Sequence, residues 1–470
     1  MLDVIWQFFE ERHLSGKISN KDVQILVFQD ENYNLNIEFS VNKTSQAVDI
    51  FSPDEFFSLF TDGRNKVSAK ASKNFNTEFT IKNIMLKERE CDENKSVKYS
   101  GIFSEFNEIR SIVRDGEISF VVYWFLNASE RLGYSEIMQS SKERKISIQW
   151  GCFDKDEFDL PFLEKSSLNC IKLKYQDYDF LFGRVDDEND LKRSFIRFGR
   201  GMFPPEEIIN DLMILLSYIL GTELIYIGFT KFNKNSYPIE KTTYSTYRKD
   251  ITNILSCIEM PPAPIRLEDK YLGMDPVEQI NVFFNNYIEK KSKYNFRQIF
   301  WYIIYARTQS YLTKLQPLAT AFDLVCQYCF KEKNNILSTS EFSVIITEIE
   351  KIIDNKNIPI EIKKQLMSRF HSCNYLSGNK KNVIIFEKLR MDINNNEKEA
   401  LKARNTSIHG KSGHIDITKI IINNNFFMTL LNRLILKIFG ITHYIDYSKQ
   451  GVEISKVEQC QSGMYKTSIL

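Results

Sequence analysis

Arg404, Asn405 and His409 place a permanent cation, a carboxamide and an imidazole within the short run Arg404-Asn405-Thr406-Ser407-Ile408-His409. The chemistry open to such a set is cleavage of an RNA phosphodiester. RNA carries its own nucleophile, the 2′-hydroxyl beside each phosphorus, so a protein need only take that proton and return one to the departing 5′-oxygen. An imidazole with an ordinary pKa of about 6.5 can do either task near neutrality. A guanidinium grips a phosphate through two parallel N–H groups and offsets charge building on its oxygens. One copy of the motif holds one histidine, whereas the reaction uses an acid and a base, so two copies meeting across an interface are expected. On a helix, Asn405 and His409 are four apart and share a face. Arg404 lies about 140° round from His409 and reaches the same edge through its long side chain. The bland alternative is a solvated arginine with a polar neighbour, on a helix stopped by Gly410.

Cys326-x-x-Cys329 and His371-x-Cys373 form a second set. Paired cysteines on a helix are ordinarily small apolar filling, but the four together supply enough soft and borderline donors for tetrahedral structural zinc. Both readings stay open. Such a metal would brace the helices; no cofactor is expected for the chemistry itself. Gly410-Lys411-Ser412 resembles the end of a phosphate-binding loop, but Asn405 stands where that loop needs its first glycine, and no strand pattern precedes it.

The elements that must position these residues divide the chain in two. At 470 residues, with 43% hydrophobic, 13% aromatic and 26% charged residues, the chain is a folded protein too long for one core. A net charge of +1 excludes a globally basic nucleic-acid coat and leaves RNA contact to a local patch. Eight scattered cysteines, no signal-peptide pattern and no apolar run free of Glu223 or Gly221 imply a cytoplasmic chain without a membrane span. Residues 1–258 read as a β-rich unit. Leu35/Ile37/Phe39, Phe79/Ile81, Ile146/Ile148/Trp150 and Ile171/Leu173/Tyr175 alternate with polar residues, as half-buried antiparallel strands do. Ile118 to Leu126 is apolar but for Ser119, like a central strand. Helices are expected at Pro53–Phe60 and Pro205–Leu220, and the strands are open to division into two sheets near Glu130.

Residues 259–276, opening on Pro261, Pro262 and Pro264, read as a proline-rich linker. Beyond it the apolar period becomes helical at Ile299–Arg307, Leu318–Cys329, Phe342–Ile353, Ile362–Phe370 and Ile420–Ile438, with Pro317 breaking or kinking the first of these. Residues 277–447 are therefore an all-α bundle, and 448–470 a polar, poorly ordered tail. The fold class is α+β multidomain, a sandwich- or barrel-like antiparallel unit followed by helices.

Arg404-Asn405-x-x-x-His409 late in a helical domain resembles the signature of HEPN-domain ribonucleases. The run Asn432-Arg433-Leu434-Ile435-Leu436-Lys437-Ile438-Phe439-Gly440, followed by Tyr444-Ile445-Asp446-Tyr447, is similar to the ApeA-like branch, in which a β-rich domain precedes the HEPN domain. The resemblance covers the helical half in sequence and the first half by architecture. It implies a metal-independent endoribonuclease of abortive-infection, anti-phage defence. Such an enzyme works as a homodimer or higher even-numbered oligomer and leaves 2′,3′-cyclic phosphate ends, with tRNA anticodon loops as frequent targets. It implies catalytic roles for Arg404 and His409, a supporting one for Asn405, and an acidic partner for the arginine at Asp323, which is otherwise an ordinary solvated carboxylate. A phage-derived protein is the expected activator, sensed by the β-rich half. The competing class is a catalytically silent HEPN scaffold that only dimerises and binds nucleic acid or a phage protein.

Overall fold

The computed structural model describes residues 12–18, 21–42, 66–71, 77–91, 96–110, 117–129, 132, 145–150, 154–159, 168–186, 192–235, 238–247, 249–265, 275–329, 336–374, 384–408, 416–448 and 453–461. The helix expected at Pro53–Phe60 lies outside them, as does His409. The chain is an α+β protein, antiparallel strands first and helices second. It divides into one unit of Met1–Met260 with Ile265–Phe284 and another of Pro261–Pro264 with Asn285–Leu470.

The first unit holds β1 (Arg12–Ile18), β2 (Lys21–Gln29), β3 (Leu35–Asn42), β4 (Lys66–Ala71), β5 (Thr77–Lys82), β6 (Met85–Cys91), β7 (Ser96–Phe103) and β8 (Glu105–Arg110). It continues through β9 (Ile118–Phe125), β10 (Lys145–Trp150), β11 (Asp154–Asp159), β12 (Leu168–Tyr175), β13 (Tyr178–Asp186) and β14 (Lys192–Phe198). Helix α1 (Glu206–Leu220), β15 (Tyr226–Asn233), β16 (Pro238–Tyr244) and α2 (Ile251–Ser256) follow. Among the described residues, β10 and β11 pair only with each other, and the rest form one 14-stranded ladder in the order β12-β13-β14-β9-β15-β16-β8-β5-β4-β1-β2-β3-β7-β6. The division near Glu130 is therefore absent from the ladder. β9, apolar on both faces, takes β14 on one edge and β15 on the other, and β16 then joins β8. Phe120, Val122, Trp124, Phe195, Ile227 and Phe232 fill one face of this region as a buried core, into which the Trp124 indole donates to Thr230 Oγ1 at 3.1 Å.

A bulge between Tyr226 and Gly228 shifts the β15 register, so that Tyr226 and Phe229 share the face opposite Ile227 and Thr230. Gly228 has φ of +141°, and a β-carbon there would lie 2.0 Å from the Thr242 carbonyl oxygen. Gly228→Ala is expected to cost about 3 kcal/mol through the clash and the strained backbone together. The drop in chemical-denaturation midpoint measures it, and an unchanged midpoint would show that β16 yields. α1 begins behind Pro204 and Pro205 and ends at Gly221, whose φ of +77° is the left-handed conformation a helix stop favours.

The helical unit contains α3 (Pro276–Lys290) from Asn285 on, α4 (Phe296–Thr308), α5 (Leu315–Cys329), α6 (Thr339–Asp354), α7 (Ile360–Ser372), α8 (Asn395–Ile408), α9 (Ile417–Ile438) and the hairpin β17 (His443–Asp446)–β18 (Glu453–Lys456). α4 buries Phe296, Ile299, Phe300, Ile303, Ile304 and Arg307 on one stripe. Pro317 does not kink it. α4 has already ended, and Pro317 sits in the first turn of α5, where a missing N–H costs no hydrogen bond. α6 starts on a reciprocal capping box between Ser338 and Glu341. α9 is buried without a break from Phe426 to Leu436, the centre against which α5 and α8 pack.

Two expectations at the ends of this unit are corrected. Pro261, Pro262, Ala263 and Pro264 are buried, not a free linker: the Ile445 amide donates to Pro262 O at 3.1 Å and the Tyr447 hydroxyl to Pro261 O at 2.8 Å. Within the tail, residues 453–461 form β18 and the turn after it, with Val457 and Gln461 buried. Among the described residues no helix is long and apolar enough to cross a membrane.

Candidate active site in the helical half

α8 carries the arginine of the motif, and its buried stripe is unusual. Glu397, Ala400, Leu401 and Arg404 follow helical spacing and are all buried, so the helix packs through two charges, one methyl group and one leucine. Burying charges is costly unless each is paired, and both are.

At the N-terminal end, Asn394 Oδ1 accepts from the Glu397 amide at 2.8 Å and Glu397 Oε2 accepts from the Asn394 amide at 2.9 Å, a reciprocal cap. The other oxygen, Oε1, faces the Arg433 guanidinium of α9 in an ion pair whose two side chains are wholly buried. Gln461 donates to the same oxygen from its Nε2 at 3.0 Å and its amide at 3.3 Å. Arg433 spends its remaining N–H groups on Val457 O at 3.2 and 3.3 Å and Asp392 O at 3.0 Å, and lies 5.2 Å over the Tyr444 ring. Burial pushes the Glu397 carboxyl above its ordinary range, against the pull of Arg433 and its hydrogen bonds.

Two turns further along the same face, Arg404 Nη1 donates to Asp323 Oδ1 of α5 at 2.6 Å, and the guanidinium lies 5.5 Å over the Phe322 ring. The arginine side chain is 9% exposed and the aspartate 60%. Arg404 is thus a fixed, largely enclosed cation whose partner sits in solvent. A phosphate reaching it would compete with a carboxylate that water already screens. Lys402, exposed and paired with Glu399 at 2.7 Å, lies on the outer side of the helix.

Of the other expected site residues, Asn405 is in α8, one residue past Arg404, and its side chain lies outside the described residues, as His409 does entirely. Asp323 is brought to Arg404. Cys326 is half-buried on α5, whereas His371 and Cys373 are exposed at the end of α7, with Cys373 Sγ 3.4 Å from Arg369 O. Among the described residues no group of three or more His, Cys, Asp or Glu is placed to hold a metal ion, so Cys326, His371 and Cys373 do not come together as ligands. The Cys329 side chain lies outside the description. Glu397 and its pairing with Arg433 were missed by sequence reasoning, which named Arg433 only within the run similar to the ApeA-like branch. A charge inside the mostly apolar run Phe426–Leu436 was the available signal, because it demands a buried partner.

Compared with known proteins, the chain matches no family model, no curated protein and no solved structure.

Proposed function

We propose that this chain is a metal-independent endoribonuclease of the HEPN type, acting as a homodimer in anti-phage defence. The observation that carries this reading is the setting of Arg404. It is held in one place by Asp323 on a helix whose last residue, Ile408, precedes His409 in the sequence, unlike the solvated arginine of the bland alternative. Arg404 would bind the scissile phosphate. His409 would take the proton from the 2′-hydroxyl in one protomer and deliver a proton to the 5′-oxygen from the other, leaving a 2′,3′-cyclic phosphate. Val344, Ile345 and Ile352 on α6, with Ile360 and Ile362 on α7, remain exposed and offer a second copy an apolar face. RNA, with tRNA foremost, is the substrate in this reading, and a phage protein the activator.

The test is made in bacteria expressing the chain and challenged with a panel of phages, RNA ends being mapped for 2′,3′-cyclic phosphates. Wild-type chain should generate discrete new ends during at least one infection, and the His409→Ala chain at equal abundance should not. Equal ends in both strains, or none in either, count against the nuclease. A second reading has its own observation: the Asp323–Arg404 pair is also what a purely structural bridge between α5 and α8 looks like. A silent scaffold would keep dimerising while giving no His409-dependent ends.

A further inference from the structure

Four aromatic rings close a circuit on three adjacent strands of the first unit. Tyr123 of β9 lies 6.4 Å from Tyr226 of β15, Tyr226 lies 5.3 Å from Tyr244 of β16, Tyr244 lies 6.5 Å from Phe229, and Phe229 lies 6.0 Å from Tyr123. The bulge at Gly228 makes this possible, since it turns Tyr226 and Phe229 to one side. All four rings are half-buried, on the sheet face opposite the Trp124 core. Among the described residues the hydroxyls of Tyr123, Tyr226 and Tyr244 have no hydrogen-bond partner, and their burial holds them protonated, with Tyr123 and Tyr244 pushed up to about 12.

The charges around the circuit decide what fits. Glu105 pairs across the strands with Tyr244 and bonds Lys82 at 2.7 Å; Glu240 bonds Lys231 at 2.8 Å. Glu206, exposed at the start of α1, adds its negative charge to burial in raising the pKa of all three tyrosines and has no ion-pair partner among the described residues. The surplus is one carboxylate, which repels an anion. The Lys231 ammonium already sits 5.3 Å over the Phe229 ring, so this face receives cations. With ring separations of this size, a cation over the middle is within the roughly 6 Å reach of each ring. A quaternary ammonium would use the ring faces and leave the hydroxyl oxygens without donors. A guanidinium would stack on the rings, donate to hydroxyl oxygens and turn its fork to a carboxylate.

We propose that Tyr123, Tyr226, Phe229 and Tyr244, with Glu206, form a receptor for an arginine side chain of a partner polypeptide. The proposal is independent of the nuclease reading, and its test does not involve RNA.

Full-length protein labelled with 3-fluorotyrosine is titrated with acetyl-Gly-Arg-Gly-amide, with its lysine counterpart and with free arginine, at constant ionic strength and up to about 20 mM, because exposed cation–π sites bind in the millimolar range. Fluorine resonances are assigned by single Tyr→Phe variants. The arginine peptide should move the Tyr123, Tyr226 and Tyr244 signals saturably. The lysine peptide should bind about fivefold more weakly. Glu206→Gln, an exposed change, should weaken arginine binding about threefold or more. Absence of a saturable shift, equal response to lysine, or indifference to Glu206→Gln each overturns the proposal. Free arginine binding as tightly as the peptide overturns the polypeptide as the source.

Discussion

For the ribonuclease proposed above, Arg404→Ala is expected to slow RNA cleavage about a hundred- to a thousandfold, the usual loss when one preorganised donor to a developing oxyanion is removed. The loss should fall on the chemical step. Asp323 is exposed and its pairing with Arg404 is screened by water, so the ion pair contributes only about 1 kcal/mol to stability. In the proposed enzyme its value lies in aiming the guanidinium. Arg404→Lys separates charge from geometry: lysine keeps the cation near Asp323 but has no planar fork, so melting temperature should recover while cleavage stays at least tenfold down. Asp323→Asn should tighten RNA binding, by unmasking the cation, and lower kcat, by releasing its aim. Single-turnover cleavage of a labelled RNA reads all three variants. Full activity in the lysine variant, or none lost in the alanine variant, would remove Arg404 from the chemistry.

The second large effect is on folding. Glu397→Ala should destabilise the helical unit by about 3–5 kcal/mol, because it strands the Arg433 charge in a site with no access to water. The same change removes the acceptor for Gln461 and half of the cap at the start of α8. Arg433→Met strands the carboxylate instead and should cost a similar amount. Combined as Glu397→Ala/Arg433→Met, the two should cost far less than their sum, since no unpaired charge remains. Denaturant unfolding of all four proteins gives the coupling directly. Additive losses would mean that the pair acts through packing and not through charge.

Much of the first half was legible because its strands obey a two-residue period with one wet face. Leu35-Ile37-Phe39 and Ile171-Leu173-Tyr175 fall on β3 and β12, and the run at Ile118, apolar but for Ser119, falls on β9, paired on both edges. The order of the ladder was not legible. Pairings such as β16 with β8 join residues more than a hundred apart, and alternation within a strand carries no address for its neighbour. Arg404 and Asp323 were found as candidates from motif and resemblance, and the structure places them in contact. α8 itself carries no apolar stripe, since its inward face is Glu397, Ala400, Leu401 and Arg404, a pattern periodicity reads as surface. The prolines misled for a related reason. They do exclude helix and central strand, yet an extended run is also what lies against a hairpin, with carbonyls free to accept from Ile445 and Tyr447.

That proline segment sets how the chain can be divided. It belongs to the helical unit, the next residues, Ile265–Phe284, belong to the first, and the helical unit resumes at Asn285 inside α3. The polypeptide changes allegiance three times within 25 residues, so no one scissor cut separates the two bodies. Any fragment begun after Pro264 would leave the Ile445 amide and the Tyr447 hydroxyl without the acceptors that Pro262 and Pro261 provide. The helical half is a patchwork of two stretches, and an isolated helical module drawn along a single sequence boundary would be missing a piece of its own wall.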